Sequence, residues 1–147
     1  MVCHGNIIRS PFAAELAKQA LNGKRRVEIA SAGLQAKPGN AVPPRALRMA
    51  SGRRIDLASH TASPLTSELV ATSDLILVMD IPQLVTLRQR FPDARNRTFL
   101  LTCLAPDTPL EVADPVDGDE GMFHRCFEHI TRATRPVIRA IAAAHAE

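Results

Sequence analysis

Residues Cys3-His4-Gly5-Asn6-Ile7-Ile8-Arg9-Ser10 run through Pro11 straight into a helix-forming stretch, Phe12 to Leu21. There Ile8, Phe12, Leu16 and Ala20 recur four apart, Pro11 stands near the start and Gly23 follows the end. A loop that opens into a helix aims successive backbone N–H groups and the positive end of the helix dipole at one place, which makes an anion site. A cysteine at the head of such a loop, beside an arginine, sits where thiolate is favoured over thiol. Arg9 brings a planar fork able to hold two phosphate oxygens and the added charge of a trigonal-bipyramidal transition state. Gly5 permits close approach of the backbone, and Asn6 tolerates the left-handed conformation that turns consecutive amides inward. The expected phosphate cradle is therefore His4, Gly5, Asn6, Ile7, Ile8 and Arg9, with Cys3 as the nucleophile.

The Cys-to-Arg spacing is a weak signal by itself. With 15 arginines and three cysteines in 147 residues, a cysteine six positions before an arginine arises readily by chance. Specificity comes from Gly-Asn and Ser-Pro standing in the same loop, on a turn that opens a helix.

Outward from this loop the chain alternates. Val27 to Ser31 reads as a strand and Pro43 to Ser51 as a helix after the turn-rich Lys37 to Asn40, with a helical turn at Thr66 to Ala71. Leu75 to Met79 is a continuous apolar run, suited to a strand covered on both faces. Helix Ile81 to Arg90 and strand Thr98 to Leu101 follow. Asp119 and Glu120 open a last helix with a stripe of Phe123, Phe127, Ile130, Val137 and Ile141. Pro136 lies inside it, where a proline costs about 3 kcal/mol, so a kink or break is expected. Strands alternating with helices predict an α/β fold, a three-layer parallel sheet with helices on both faces. Only Met1 and Val2 precede Cys3, so the first strand is expected to be truncated, with little support for the loop.

A chain of 147 residues, 46% apolar, is the right size for one domain spanning 1–147 around one core. No apolar run approaches the roughly 20 residues needed to cross a bilayer. The net charge of +3 is modest, and only Arg25-Arg26 and Arg53-Arg54 are adjacent basic pairs, so neither a membrane nor a nucleic-acid partner is expected. Cys3, Cys103 and Cys126 fit neither a zinc site nor a disulfide framework, which suits the reducing cytoplasm. Cys103 and Cys126 read as buried, small apolar residues.

The loop resembles that of the low-molecular-weight protein tyrosine phosphatase family, Cys-x-Gly-Asn-x-Cys-Arg-Ser-Pro. Further matches follow in order over nearly the whole chain: Ser31-Ala32-Gly33, Arg53-Arg54-Ile55-Asp56, Ser59-His60 and Asp114-Pro115. The resemblance implies a four-stranded parallel sheet with the active site at the carboxyl ends of the strands. It implies that Ser10, Ser31 and His60 hydrogen-bond around Asn6 and support the loop, and that Asp114, aimed by Pro115, is the general acid.

The implied chemistry is two in-line displacements. Cys3 attacks phosphorus while Asp114 protonates the leaving alcohol, then water hydrolyses the cysteinyl phosphate; no metal or cofactor is required. A phosphotyrosine protein or a small phosphomonoester is the expected partner, and the chain is expected to be a monomer or weak dimer. Two departures stand out: Ile8 occupies the place of the family's second loop cysteine, and Val116 follows Pro115 where relatives carry an aromatic residue. Two other readings stay open, a thiol-dependent arsenate reductase and a phosphate-binding module that does not turn over.

Overall fold

The computed structural model describes residues 1–22 and 26–145, so Gly23 and Arg25 lie outside the described residues. Four parallel strands, β1 (Val2–Cys3), β2 (Ala32–Gly33), β3 (Ile76–Val78) and β4 (Thr98–Leu100), form a sheet in the order β2-β1-β3-β4. The helices are α1 (Arg9–Ala20), α2 (Pro44–Ser51), α3 (Ser67–Thr72), α4 (Ile81–Arg90) and α5 (Glu120–Ala144). Their starts follow the residues that cap them. Thr66 accepts from the Leu69 amide at 3.2 Å, Asp80 from Gln83 at 2.9 Å and Asp119 from Met122 at 2.9 Å.

α1 and α2 lack such a cap. α2 opens instead on Pro43 and Pro44, whereas α1 begins at Arg9, three residues ahead of the expected Phe12, and Ile8 at its N-cap supplies no side-chain hydrogen bond. No acidic residue stands in its first turn either, so the positive end of this helix is left uncompensated by its own sequence.

β1 is only two residues long, and it is nevertheless an inner strand of the sheet. Val2 pairs with Ala32 on one side and Val78 on the other. Main-chain bonds lengthen its hold on β2: Ala32 N–H reaches Met1 O at 3.0 Å, Leu34 N–H reaches Cys3 O at 2.9 Å, and Gln35 N–H reaches His4 O at 2.9 Å. The same register corrects the strand expected at Val27 to Ser31. Val2 pairs with Ala32 and Cys3 with Gly33, so the strand falls at Ala32–Gly33, immediately after the expected segment.

Side chains alternate across the sheet and divide the core in two. Cys3, Leu77 and Met79 face α1, α2 and α5, whereas Val2, Ala32, Ile76 and Val78 face α3 and α4. On the first face Phe12 and Phe127 stack with ring centroids 4.1 Å apart, and Phe123 meets Phe127 edge-on at 6.3 Å. α5 presents Phe123, Cys126, Phe127, Ile130, Ala133 and Val137 to this core, and it runs through Pro136 without a break. Burial of Ala133, Thr134 and Val137 on both sides of the proline holds the two halves to one axis. None of the described helices is long and apolar enough to cross a membrane.

Replacing the fully buried Phe127 by Ala removes the ring that joins α5 to α1. It is expected to cost about 3–5 kcal/mol in a urea melt, with the folded fraction keeping its helical circular dichroism.

Candidate active site

β1 ends at Cys3, and the six residues from there to Arg9 wrap back into α1. The turn depends on Asn6, which adopts φ 55 and is completely buried. A non-glycine residue in that region costs about 1–2 kcal/mol, which local hydrogen bonds must offset. They do so on every polar atom of its side chain. Nδ2 donates to Ser10 Oγ at 2.8 Å and to Ser31 Oγ at 3.0 Å, and Oδ1 accepts from the Ser63 amide at 2.9 Å. His60 also reaches Asn6, but by its main chain: Nε2 lies 2.8 Å from Asn6 O and therefore carries the proton. The two serines thus meet the carboxamide as the resemblance implied, and the histidine meets the peptide carbonyl instead.

The sulfur of Cys3 lies at the root of this turn, 3% exposed. It accepts from the Asn6 amide at 3.3 Å and stands 3.0 Å from Ser10 Oγ, a hydroxyl that accepts from Asn6 Nδ2 and has both the sulfur and, at 3.4 Å, Ala32 O within reach of its one proton. Gly33 lies directly beneath the loop. A Cβ there would sit 2.7 Å from His4 O and 3.0 Å from the Asn6 nitrogen, so only glycine lets β2 support the turn so closely. Around the rest of the loop, His4 is exposed, Gly5 and Ile7 are half-buried, and Ile8 turns into the core beside Cys3 and Phe12.

Arg9 is buried, and both ends of its fork are engaged. Nη1 donates to Asp80 Oδ2 at 3.1 Å and to Val112 O at 3.0 Å, while Nη2 donates to Asp114 Oδ2 at 2.9 Å. Sequence reasoning placed Asp114 here and missed Asp80. That residue follows β3 directly and caps α4 with Oδ1 while holding Arg9 with Oδ2. The missed signal was an acidic residue at the carboxyl end of the apolar β3, one position before a helix. Val112 was also missed. Its N–H bonds Met79 O at 2.8 Å, which docks the segment before Asp114 against the end of β3. Of the two carboxylates, Asp114 is the more exposed, 41% against 23% for Asp80, so its pairing is the more screened by solvent.

The remaining cysteines divide. Cys126 packs in the core behind the site, and burial pushes its thiol up to about 12 despite the nearby Arg9. Cys103 is a correction: it lies exposed on the short 3-10 turn Leu101–Leu104, whose buried face is taken by Leu101 and Thr102.

A family model described as low molecular weight phosphotyrosine protein phosphatase matches residues 1–146. The chain belongs to this family. It is 37% identical over 144 residues to the probable low molecular weight protein-tyrosine-phosphatase EpsP of Ralstonia nicotianae, covering 96% of this chain and 95% of that protein. Among solved structures, the YwlE arginine phosphatase from Geobacillus stearothermophilus superposes with a TM-score of 0.88 at 26% identity, covering 97% of this chain and 91% of that one. The tyrosine phosphatase Wzb from Escherichia coli K30 in complex with sulphate gives 0.88 at 27% identity, covering 95% and 94%. The fold is thus that of phosphatases acting on two kinds of phosphorylated side chain.

Two outcomes follow from the geometry. Gly33→Ala should leave a cooperative thermal transition and lower kcat/KM on an aryl phosphate by about tenfold or more, because the cradle is displaced. At pH 8, iodoacetamide should modify Cys103 in the native protein and Cys126 only in denaturant, as mapped by peptide mass spectrometry.

Proposed function

We propose that this chain is a protein tyrosine phosphatase, one catalytic domain in the cytoplasm that hydrolyses phosphomonoesters through a cysteinyl-phosphate intermediate. One arrangement carries the reading. A sulfur flanked by the Asn6 amide and the Ser10 hydroxyl lies at the start of an uncapped helix whose first residue, Arg9, reaches the Asp114 carboxylate.

The loop amides and the Arg9 fork take the phosphate oxygens in place of solvent and of Asp114. Being the more exposed of the two carboxylates on Arg9, Asp114 is the one displaced, while Asp80 keeps the guanidinium aligned. The Cys3 thiolate attacks phosphorus in line, the bond from phosphorus to the tyrosyl oxygen breaks, and Asp114 gives its proton to that oxygen. In the second step the Asp114 carboxylate takes a proton from water as it attacks. The sulfur–phosphorus bond then breaks, and inorganic phosphate and thiolate are released. Ser10 donates to the sulfur as leaving group, and Asn6, Ser31 and His60 hold the turn through both steps.

Tyrosine is favoured as the substrate side chain by the curated relative EpsP and by the rim of the site. Leu110 and Val116 stand exposed on either side of Asp114 in the chain, apolar surface suited to an aromatic ring. The bare aliphatic Val116 offers less contact than an aromatic residue, which suits a pocket tolerant of other aryl phosphates.

The test is hydrolysis of para-nitrophenyl phosphate and of matched phosphotyrosine and phosphoarginine peptides in the presence of a chelator. The expected result is turnover with preference for phosphotyrosine, none with Cys3→Ser, and a loss of about 10²-fold or more with Asp114→Asn. A higher kcat/KM on the phosphoarginine peptide overturns the tyrosine assignment. Stabilisation by phosphate with no hydrolysis of any substrate overturns the enzymatic one.

A further inference from the structure

The segment bearing Asp114 is tied down at both ends by arginines, and only one of them belongs to the catalytic loop. On its near side, Arg9 holds Val112 O and Asp114 Oδ2. Beyond Asp114 the chain makes a tight turn, with Asp114 Oδ1 accepting from the Val116 amide at 3.2 Å and Pro115 O from the Gly118 amide at 2.8 Å. The far end of that turn is held from outside. Arg45, in the first turn of α2, donates from Nη1 to Gly118 O at 2.6 Å, and its guanidinium lies 6.0 Å from the Phe123 ring centroid. A cation over an aromatic face keeps the long side chain in one place, so the bond to Gly118 is aimed.

α2 also grips the start of α5 beyond the turn. Arg48 stands 3.9 Å from Glu120, and Arg53, in the turn after α2, donates to His124 O at 3.3 Å. These contacts hold the helix; among the described residues of α2 and the turn after it, Arg45 is the one that reaches the turn beyond Asp114. Gly118 can be there only as glycine, since a Cβ would lie 2.8 Å from Met122 Cβ. That fixes where its carbonyl emerges.

We propose that Arg45 is a positioning residue for the general acid. The proposal rests on the reading of Asp114 as that acid. When a phosphate dianion occupies the Arg9 fork, Asp114 loses its own bond to Arg9, and the tether from Arg45 to Gly118 then keeps the carboxyl at the leaving oxygen. Arg45 itself touches neither substrate nor sulfur. Its contribution is confined to how well a proton is delivered.

That confinement gives a readout that a general structural role does not move. Protonation matters for a basic leaving group such as phenolate and little for 2,4-dinitrophenolate, and kcat/KM reports the step in which that group departs. The experiment compares kcat/KM for phenyl phosphate and 2,4-dinitrophenyl phosphate in the wild type, Arg45→Met, Arg45→Lys, Asp114→Asn and the double variant Arg45→Met/Asp114→Asn. Because the result is a ratio of two substrates on one sample, partial unfolding cancels. Arg45→Met is expected to lose about tenfold on phenyl phosphate and to stay within about twofold on the dinitrophenyl ester. Arg45→Lys should recover most of the loss, and Arg45→Met should add nothing once Asp114 is Asn.

Equal losses on both esters, no loss on either, or additive losses in the double variant overturn the proposal while leaving Asp114 as the acid. An Asp114→Asn variant that is itself indifferent to the leaving group overturns the acid assignment and this proposal with it.

Discussion

The site is organised by one buried carboxamide. Asn6 is forced into a left-handed conformation so that the chain can double back between β1 and α1, and its amide then has no access to water. A buried amide left unbonded costs about 1–3 kcal/mol for each group, so the turn survives only where the surroundings satisfy all of it. Ser10 from α1, Ser31 ahead of β2, and Ser63 and His60 from the long connection to α3 converge there. Three segments are thus bound to one side chain, and the same network sets the Ser10 hydroxyl and the Asn6 amide beside the sulfur. Satisfying the loop and surrounding the Cys3 sulfur with polar groups are one network.

Arg9 is the second junction, and it joins the loop to the other half of the sheet. A buried guanidinium costs several kcal/mol to desolvate, and it is tolerated because two carboxylates, Asp80 and Asp114, and the Val112 carbonyl take three of its five donors. The carboxylates differ in ways that suit different duties. Asp80 is tied into the start of α4 and shielded, so it is a fixed counter-charge. Asp114 lies in an irregular loop and faces solvent, so its pairing with Arg9 is the more weakly held of the two. The loop that opens α1 and the segment bearing Asp114 are therefore joined through a single side chain.

How much of this was legible beforehand varies with the range of the forces involved. α2, α4 and the start of α5 are written in local chemistry, with prolines at the N-terminal end of α2 and caps at Asp80 and Asp119. The expected strand at Val27 to Ser31 had suitable β-branched residues, yet strands need partners, and the register of Val2 with Ala32 moved the pairing onward. Pro136 misled in the other direction, since a local penalty of about 3 kcal/mol was outweighed by the buried stripe on both sides of it. Cys103 misled because composition alone does not say which face of a short turn meets the core.

The sequence by itself determined the family and the alternation of strands and helices, and it singled out Cys3, Arg9 and Asp114 as candidates. These follow from short-range patterns: a loop before a helix, a thiol at the head of that loop, an aspartate followed by proline. Only the tertiary structure decided that Asp80 shares Arg9 with Asp114, that Gly33 must be bare beneath the loop, and that Arg45 reaches across to the turn after Asp114. Those are contacts between segments far apart in the chain. Hydrogen bonds and close packing depend on distances of a few ångströms that no spacing in the sequence encodes.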